Sequence, residues 1–468
     1  MVAGAARRRA GGGVVTGTTA RDVAYDVLRA VRADDAYANL LLPRMIERAG
    51  LAPADAALAT ELTYGTLRRQ GTYDAVVAAA ADRPVAEIDP QVLDALRLGV
   101  HQLMSTRIAS HAAVNETVQQ VRTSAGRPAA GFANAVLRRV SRDTPGQWLA
   151  RIEQSARSDD ERLSLRTAHP VWIIRALRRA LAAEDRKDEL DALLQADNAA
   201  PHVTMAALPG LIALPDGAPR TPYSPFGFVP GSGDPEPLIR ASGGRLRVQD
   251  EGSQLAALAL TRALPVTAGE RWLDLCAGPG GKTAILAAEA LAHGARLEAN
   301  EPVPARAGLV RRALAAVPLD VPVSEEDGRL RAASGGYDRI LVDAPCTGLG
   351  ALRRRPEARW RKTPADVPAL TALQTDLLTA ALDAVRPGGV VAYVTCSPHL
   401  AETAGVVAEV TRTFGDRVAE LDARAVVQAV SRTRLDLAVP ASGSGRAQLW
   451  PHRHGTDAMA ITLLRRVR

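Results

Sequence analysis

The segment Leu273-Asp274-Leu275-Cys276-Ala277-Gly278-Pro279-Gly280-Gly281-Lys282-Thr283 constrains the fold more than any other stretch of the chain. A short apolar run, Arg271 to Leu275, ends in a glycine-rich turn, and a helical run, Thr283 to His293, follows at once. Strand, tight turn and helix in that order form a unit that must pack against further strands. The rhythm continues with a strand over Arg296 to Ala299, a helix over Ala305 to Ala316 and a strand over Asp338 to Val342. A long helix over Ala369 to Val385, closed by Pro387-Gly388-Gly389, then leads to a strand over Gly389 to Val394. This alternation predicts an α/β, Rossmann-like, doubly wound and mostly parallel sheet. Ligands of such sheets bind outside the carboxyl ends of the strands.

The first 150 residues have a different period. Thr19 is a candidate N-cap with Asp22 three residues on, and Val23, Val27, Leu28 and Val31 then recur at helical spacing. Similar stripes run from Leu93 to Met104 and through Val114, Val118 and Val121, with no strand pattern before about residue 150. Residues 20–150 are therefore expected to form an all-α domain. Trp172 to Ala196 reads as helical, and beyond Pro201 come short apolar pieces, Val203 to Leu208 and Leu211 to Leu214. Pro- and Gly-rich turns separate those pieces. Residues 151–250 are expected to be linker helices and a small α+β module, and 251–468 the α/β domain. Residues 1–19, with Arg7, Arg8 and Arg9, are expected to be a disordered basic tail without the apolar run of a signal peptide.

No stretch approaches the roughly 18 uninterrupted apolar residues of a membrane span, and three cysteines cannot make a disulfide framework. Both point to a cytoplasmic protein with no membrane partner. The net charge is only +7, but it is clustered. Between Arg107 and Arg142 six arginines (107, 122, 127, 138, 139, 142) face one acid, Glu116. Between Arg353 and Lys362, Arg353, Arg354, Arg355, Arg359, Arg361 and Lys362 face Glu357. Two such clusters suit a polyanion lying across two domains, although each also suits a solvated helix face. Arginine outnumbers lysine 55 to 3, so Lys282 marks a place where a compact ammonium is used.

Gly278, Gly280 and Gly281 allow close backbone approach to a ligand, and the following helix offers free N–H groups. Glu301, at the end of the second strand, stands where an acid grips ribose hydroxyls in dinucleotide folds. Asp327 could accept from an adenine amino group, or be a turn aspartate before Gly328. A glycine loop with a distal acid would also suit a nicotinamide or flavin enzyme. The cysteines narrow the field. Cys346, in Asp343-Ala344-Pro345-Cys346, and Cys396, in Thr395-Cys396-Ser397, both fall at strand ends, whereas Cys276 reads as a small buried hydrophobe whose backbone belongs to the loop. His452 and His454 have no Cys or carboxylate cluster of zinc spacing beside them, so no metal is expected and they are assigned to a strand-connecting loop near the substrate.

These segments resemble the Nop/Sun family of RNA cytosine-5 methyltransferases: Leu273 to Thr283, Asp343 to Cys346 with Arg354-Arg355-Pro356 and Trp360 following, and Thr395-Cys396-Ser397. Asn115-Glu116-Thr117-Val118 and Gly131-Phe132-Ala133-Asn134-Ala135-Val136-Leu137-Arg138 resemble the NusB-type RNA-binding domain. That fusion is characteristic of the bacterial 16S ribosomal RNA enzymes of the family. The resemblance implies S-adenosyl-L-methionine as cofactor, held by Cys276, Ala277, Gly278, Pro279, Gly280, Gly281, Lys282, Glu301, Asp327 and Asp343. It implies Cys396 as nucleophile, Cys346 as the cysteine that assists release, Asp343 as hydrogen-bond partner of the cytosine edge and Lys282 beside the base or thiolate. RNA contacts are expected from Arg353, Arg354, Arg355, Arg359, Arg138 and Arg139, in a monomer acting on 16S rRNA. Where the family often continues with a Pro-Glu-Glu-Asn-like run, this chain has Pro398-His399-Leu400-Ala401-Glu402-Thr403, and only Glu402 clearly survives. Glu301 stands for the more frequent Asp, and Met205 to Leu214 lacks the usual Leu-Arg-Val-Asn. The same chemistry on transfer or large-subunit RNA, and a non-catalytic RNA-binding or antitermination factor, remain as alternatives; the second leaves both cysteines and Lys282 without a use.

Overall fold

Thr19 opens the first helix in the manner its spacing predicts. Its hydroxyl accepts from the Asp22 amide (3.2 Å), while the Asp22 carboxylate accepts from the Thr19 amide (2.9 Å), a reciprocal cap that satisfies two otherwise orphaned donors. The computed structural model describes residues 18–231 and 233–468. The expected basic tail, with Arg7, Arg8 and Arg9, lies outside the described residues. The chain divides into two compact units, one ending at Trp148 and the other starting at Leu149.

The described residues of the first unit are helical, as expected, with no strand among them. Helices run over Ala20–Ala33, Ala38–Ala49, Pro53–Arg68, Gln70–Ala81, Pro90–Ser105 and Ser110–Val140. Val23, Val27, Leu28 and Val31 are all buried, so the stripe is a core face. The last helix kinks at Gly126, whose φ of 87° is open to glycine at little steric cost.

In the second unit a small antiparallel sheet precedes the large one. It is built from β1 (Met205–Ala207), β2 (Gly227–Phe228) and β3 (Leu246–Val248), in the order β2-β1-β3. Of the two short apolar pieces, Val203 to Leu208 contains β1, while Leu211 to Leu214 is turn and irregular chain after Gly210. The helical stretch Trp172 to Ala196 is two helices, Val171–Ala182 and Leu190–Asn198, broken where Asp185 adopts a left-handed φ of 57°. These elements belong to the same compact unit as the α/β sheet.

The large sheet contains β4 (Arg271–Asp274), β5 (Arg296–Asn300), β6 (Val323–Ser324), β7 (Tyr337–Asp343), β8 (Val385–Thr395), β9 (Val418–Leu421), β10 (Ala447–Leu449) and β11 (Met459–Arg466). Its order is β10-β11-β8-β7-β4-β5-β6, with β9 also on β11. Strands β8-β7-β4-β5-β6 are parallel, while β9, β10 and β11 pair antiparallel. Successive residues serve opposite faces, the period of two expected of a strand. Leu341, Val390, Ala392 and Val394 pack with helices Glu251–Arg262 and Gly281–His293, whereas Ile340, Val342, Val391 and Tyr393 pack with helices Asp366–Ala384 and Val406–Phe414.

Pro387-Gly388-Gly389 proves to be a bulge inside β8 rather than the loop closing a helix. The register with β7 shifts between Tyr337 and Arg339, Gly388 has φ 87°, and a Cβ on Gly389 would meet the Asp338 carbonyl at 2.6 Å. The first strand of the sheet, β4, lies between β5 and β7, so chain connections diverge there. That divergence opens a crevice at the carboxyl ends of β4 and β7.

Candidate active site

The loop after β4 is held open by its own backbone and by the neighbouring strand. The Ala277 amide donates to the Asn300 carbonyl (2.9 Å) and the Gly280 amide to the Ala277 carbonyl (2.9 Å). Gly280 has φ 91°, and a Cβ there would meet Ala313 Cβ at 2.7 Å and Val310 Cα at 2.9 Å, so glycine is required twice over. Beneath the loop, Asp274 is fully buried and accepts from the Thr283 hydroxyl (2.7 Å). Burial, with Asp343 nearby, pushes its carboxyl up to about 7 despite that bond.

Glu301 lies at the loop, as the spacing predicts. Its Oε2 accepts from the Gly278 amide (3.1 Å) and pairs with Arg306 (3.2 Å), and its Oε1 accepts from the Val303 amide (3.1 Å). Asp327 caps the short helix Gly328–Ala332 by accepting from the Arg329 amide, and its carboxylate is paired with the Arg329 guanidinium. Those bonds hold it down to about 2, so in this structure it performs the turn role that its place before glycine allowed.

The loops after β7 and β8 bring the two predicted cysteines together. Ala344 continues the ladder by donating to the Val394 carbonyl (2.9 Å), and the Gly350 amide donates to the Cys396 carbonyl (2.9 Å). The sulfurs of Cys346 and Cys396 lie 3.4 Å apart, 50 residues apart in sequence. Their surroundings differ in charge. The hydrogen bond from Cys346 lowers the Cys396 pKa; burial and Asp343 oppose this, and Arg355 and Lys282 add to it. Cys346 is raised by the same hydrogen bond, by burial, and by the charges of Cys396 and Glu402. The surrounding charges thus favour thiolate character on Cys396 over Cys346. Cys276, by contrast, is pushed well up by burial and by the acids around it, which suits an unreactive thiol.

Lys282 Nζ donates to Asp343 Oδ2 at 2.8 Å. Burial alone would lower the ammonium's pKa, but the charge and hydrogen bond of Asp343 outweigh it and hold the pKa above the usual lysine value. The Asp343 side chain keeps 29% of its surface, so it opens on the crevice.

The arginine cluster behind Cys346 divides. Arg359 is 0% exposed and donates to the Ala168 and Asp197 carbonyls and to Asn198 Oδ1. Arg353 is buried, donating to the Gly455 carbonyl and pairing with Asp457. Guanidinium groups enclosed in this way have no face left for a phosphate, which corrects the expectation of RNA contact for both. Arg354 is partly buried between Asp250 and Asp457; Arg355 is exposed. In the first unit Arg138 and Arg139 are exposed, bonded to Asn134 and to the Ala80 carbonyl. His452 and His454 lie on a short helix, Pro451–His454, joining β10 to β11. There His452 Nε2 bonds Glu189, and the two nitrogens of His454 bond the Trp450 amide and the Asp436 carbonyl.

Sequence reasoning passed over Thr347, Ser397, Gln374 and Gly350. The first two each follow a cysteine directly, and that repeated pattern of cysteine then hydroxyl was the available signal. Gly350 carries none: a Cβ there would meet the Ala458 carbonyl oxygen at 2.0 Å and the Cys396 oxygen at 2.8 Å, a purely tertiary constraint.

Residues 261–465 match the family model described as 16S rRNA methyltransferase RsmB/F, and residues 18–142 match the NusB family. The Mycobacterium tuberculosis protein Rv1407 is 48% identical over 456 residues, 96% of each chain. Ribosomal RNA small subunit methyltransferase B of Pseudomonas putida is 34% identical over 417 residues, 86% of this chain and 91% of that protein. Among solved structures, PH0851 superposes with a TM-score of 0.78 over 97% of this chain and 99% of its own, at 20% identity, a likeness of fold.

Proposed function

The chain belongs to the RsmB/F family of 16S rRNA methyltransferases, with an N-terminal NusB-family domain, and from that premise we propose that it methylates C5 of a cytosine in 16S ribosomal RNA through a covalent bond between Cys396 and C6. The pair of thiols 3.4 Å apart at the edge of the crevice carries this reading.

The cofactor of the family, S-adenosyl-L-methionine, supplies an electrophilic sulfonium methyl when bound. The residues present fit it: a glycine turn at a helix N-terminus, with the buried Glu301 carboxylate one strand away. Cys276 to Lys282 and Glu301 would hold it, with Asp327 and Asp343 at the margins.

Cytosine C5 is a poor nucleophile, and adding a thiolate to C6 makes it enamine-like. Cys396 is the sulfur prepared for that addition, and the Lys282–Asp343 pair lies where charge develops on the ring. Once C5 carries the methyl, loss of its proton to solvent returns the electron pair to the C5–C6 bond and expels Cys396 as the thiolate, and Cys346, 3.4 Å away, assists release as hydrogen-bond donor to the departing sulfur. A stacked base hides C6, so the target is flipped out or single-stranded. The exposed arginines, Arg355 in the second unit and Arg138 and Arg139 in the first, supply phosphate contacts. The protein is expected to act as a cytoplasmic monomer.

Nucleoside mapping by mass spectrometry tests the reading. Deproteinised small-subunit RNA, unmodified at the start, should gain one 5-methylcytosine on incubation with the protein and S-adenosylmethionine. A methyl appearing on transfer or large-subunit RNA instead would keep the chemistry and overturn the substrate. No methyl on any RNA would leave a binding factor.

A further inference from the structure

Glu402 joins the two cysteine loops, and nothing in the chemistry above accounts for it. Its side chain is 0% exposed. One carboxylate oxygen accepts from the Thr347 amide (2.7 Å) and from Gln374 Nε2 (3.2 Å); the other accepts from the Thr347 hydroxyl (2.5 Å) and the Ser397 hydroxyl (2.7 Å). Thr347 follows Cys346 and Ser397 follows Cys396, and their hydroxyls are themselves 3.0 Å apart. Gln374 also donates to the Pro345 carbonyl (2.7 Å), and the Tyr393 hydroxyl donates to the Glu402 carbonyl (2.7 Å), which fixes the acid from β8 and from helix Asp366–Ala384.

A buried carboxylate is tolerated only when donors surround it, and four are provided here. A neutral amide of the same shape lacks the charge and must turn its NH2 toward the Thr347 and Ser397 hydroxyls, which then have to accept where they now donate. The placement is also asymmetric in charge. Glu402 acts on Cys346, whereas Lys282 and Arg355 act on Cys396.

We propose that Glu402 is the positioning residue of the two-thiol centre: by clamping Thr347 and Ser397 it sets the approach of Cys346 to Cys396 and places a negative group on the Cys346 side of the pair. The inference rests on the thiol chemistry proposed above and deepens it. Glu402 touches neither sulfur by hydrogen bond and acts through the residue that follows each.

The test uses the full-length protein and the variants Glu402→Gln, Glu402→Asp, Thr347→Val and Ser397→Ala. Iodoacetamide labelling across pH, read by peptide mass spectrometry, reports the preference for Cys396 over Cys346 independently of methyl transfer. In Glu402→Gln that preference should fall by about tenfold, the direction expected when a negative charge beside Cys346 is lost. With the loops shifted by about 1 Å, kcat should fall on the order of 100-fold, while the KM for S-adenosylmethionine changes little. Glu402→Asp should recover part of both, and Thr347→Val and Ser397→Ala should lie between wild type and Glu402→Gln.

Wild-type labelling preference in Glu402→Gln, with or without a lower melting temperature, would make the residue mere packing and overturn the proposal. Should Glu402→Gln not fold, unchanged preference in both Thr347→Val and Ser397→Ala would overturn it equally. If the wild type methylates no cytosine yet its labelling preference collapses in Glu402→Gln, the clamp stands and the functional reading falls.

Discussion

The sulfur of Cys346 faces that of Cys396 at 3.4 Å, with no other cysteine paired to either among the described residues. A disulfide bond is about 2.05 Å long, so closing the pair needs a movement of little more than 1 Å. Treatment with diamide should therefore join them, reducing the thiols counted under denaturing conditions from three to one and abolishing activity until a reductant is added. Three thiols persisting after prolonged oxidation would show that the loops hold the sulfurs apart more rigidly than their separation suggests.

The asymmetry of the pair assigns roles to its members. Cys396→Ala should lose both turnover and covalent capture of RNA, because the thiolate is gone. Cys346→Ala should accumulate a protein–RNA adduct that survives a denaturing gel, because the departing Cys396 thiolate loses the hydrogen bond that assists its release. An adduct found in Cys396→Ala in place of Cys346→Ala would reverse the assignment.

The Cys346 hydrogen bond, Arg355 and Lys282 all act to stabilise the Cys396 thiolate. Removing a positive charge raises a neighbouring thiol pKa. Lys282→Met should therefore move the acidic limb of the kcat/KM profile toward higher pH and lower the rate at neutral pH by roughly tenfold or more. An unshifted limb in the pH–rate profile would restrict Lys282 to holding Asp343.

The parts of this architecture written in local pattern were legible in the sequence, and the parts written in tertiary contact were not. Strand–helix alternation, the Gly278 and Gly280 turn and the cysteines at the ends of β7 and β8 each follow from residues close together in the chain. Arg359 looked like its neighbour Arg355 because positive charge is visible and burial is not. The groups that enclose it, the Ala168 and Asp197 carbonyls and Asn198, lie more than 150 residues earlier. Pro387-Gly388-Gly389 carries a loop's residue types but serves as a bulge, since only the β7 partner decides where the register shifts. Glu402 was visible as a surviving acid, but its four donors come from three separate segments.

Gly350 gives a steric prediction free of charge effects. A Cβ at this position would overlap the Ala458 carbonyl oxygen at 2.0 Å and approach the Cys396 oxygen at 2.8 Å, and both are backbone atoms with little freedom to yield. Gly350→Ala should destabilise the second unit by about 1–3 kcal/mol and displace Cys396, lowering activity more than the stability loss alone accounts for. A variant with wild-type melting and wild-type rate would mean that the loop after β7 relaxes freely.

Buried Asp197 predicts how stability changes with pH. It is 1% exposed, neither carboxylate oxygen has a hydrogen-bond partner among the described residues, and burial pushes its pKa from 3.8 up to about 7 against the opposing pull of Arg359. Between these two values the folded chain holds a proton that the unfolded chain releases. The group's contribution is therefore fully present below pH 3.8 and is lost as pH rises through 7. Stability should decline between about pH 4 and pH 7, levelling off above about pH 8, by an amount on the order of 1 kcal/mol or more from this site. Asp197→Asn, neutral throughout, should flatten that decline and gain on the wild type at the alkaline end. Thermal melts of both proteins across this range provide the check, and parallel curves would show that Asp197 is already ionised in the folded protein, with the Arg359 guanidinium as its counter-charge.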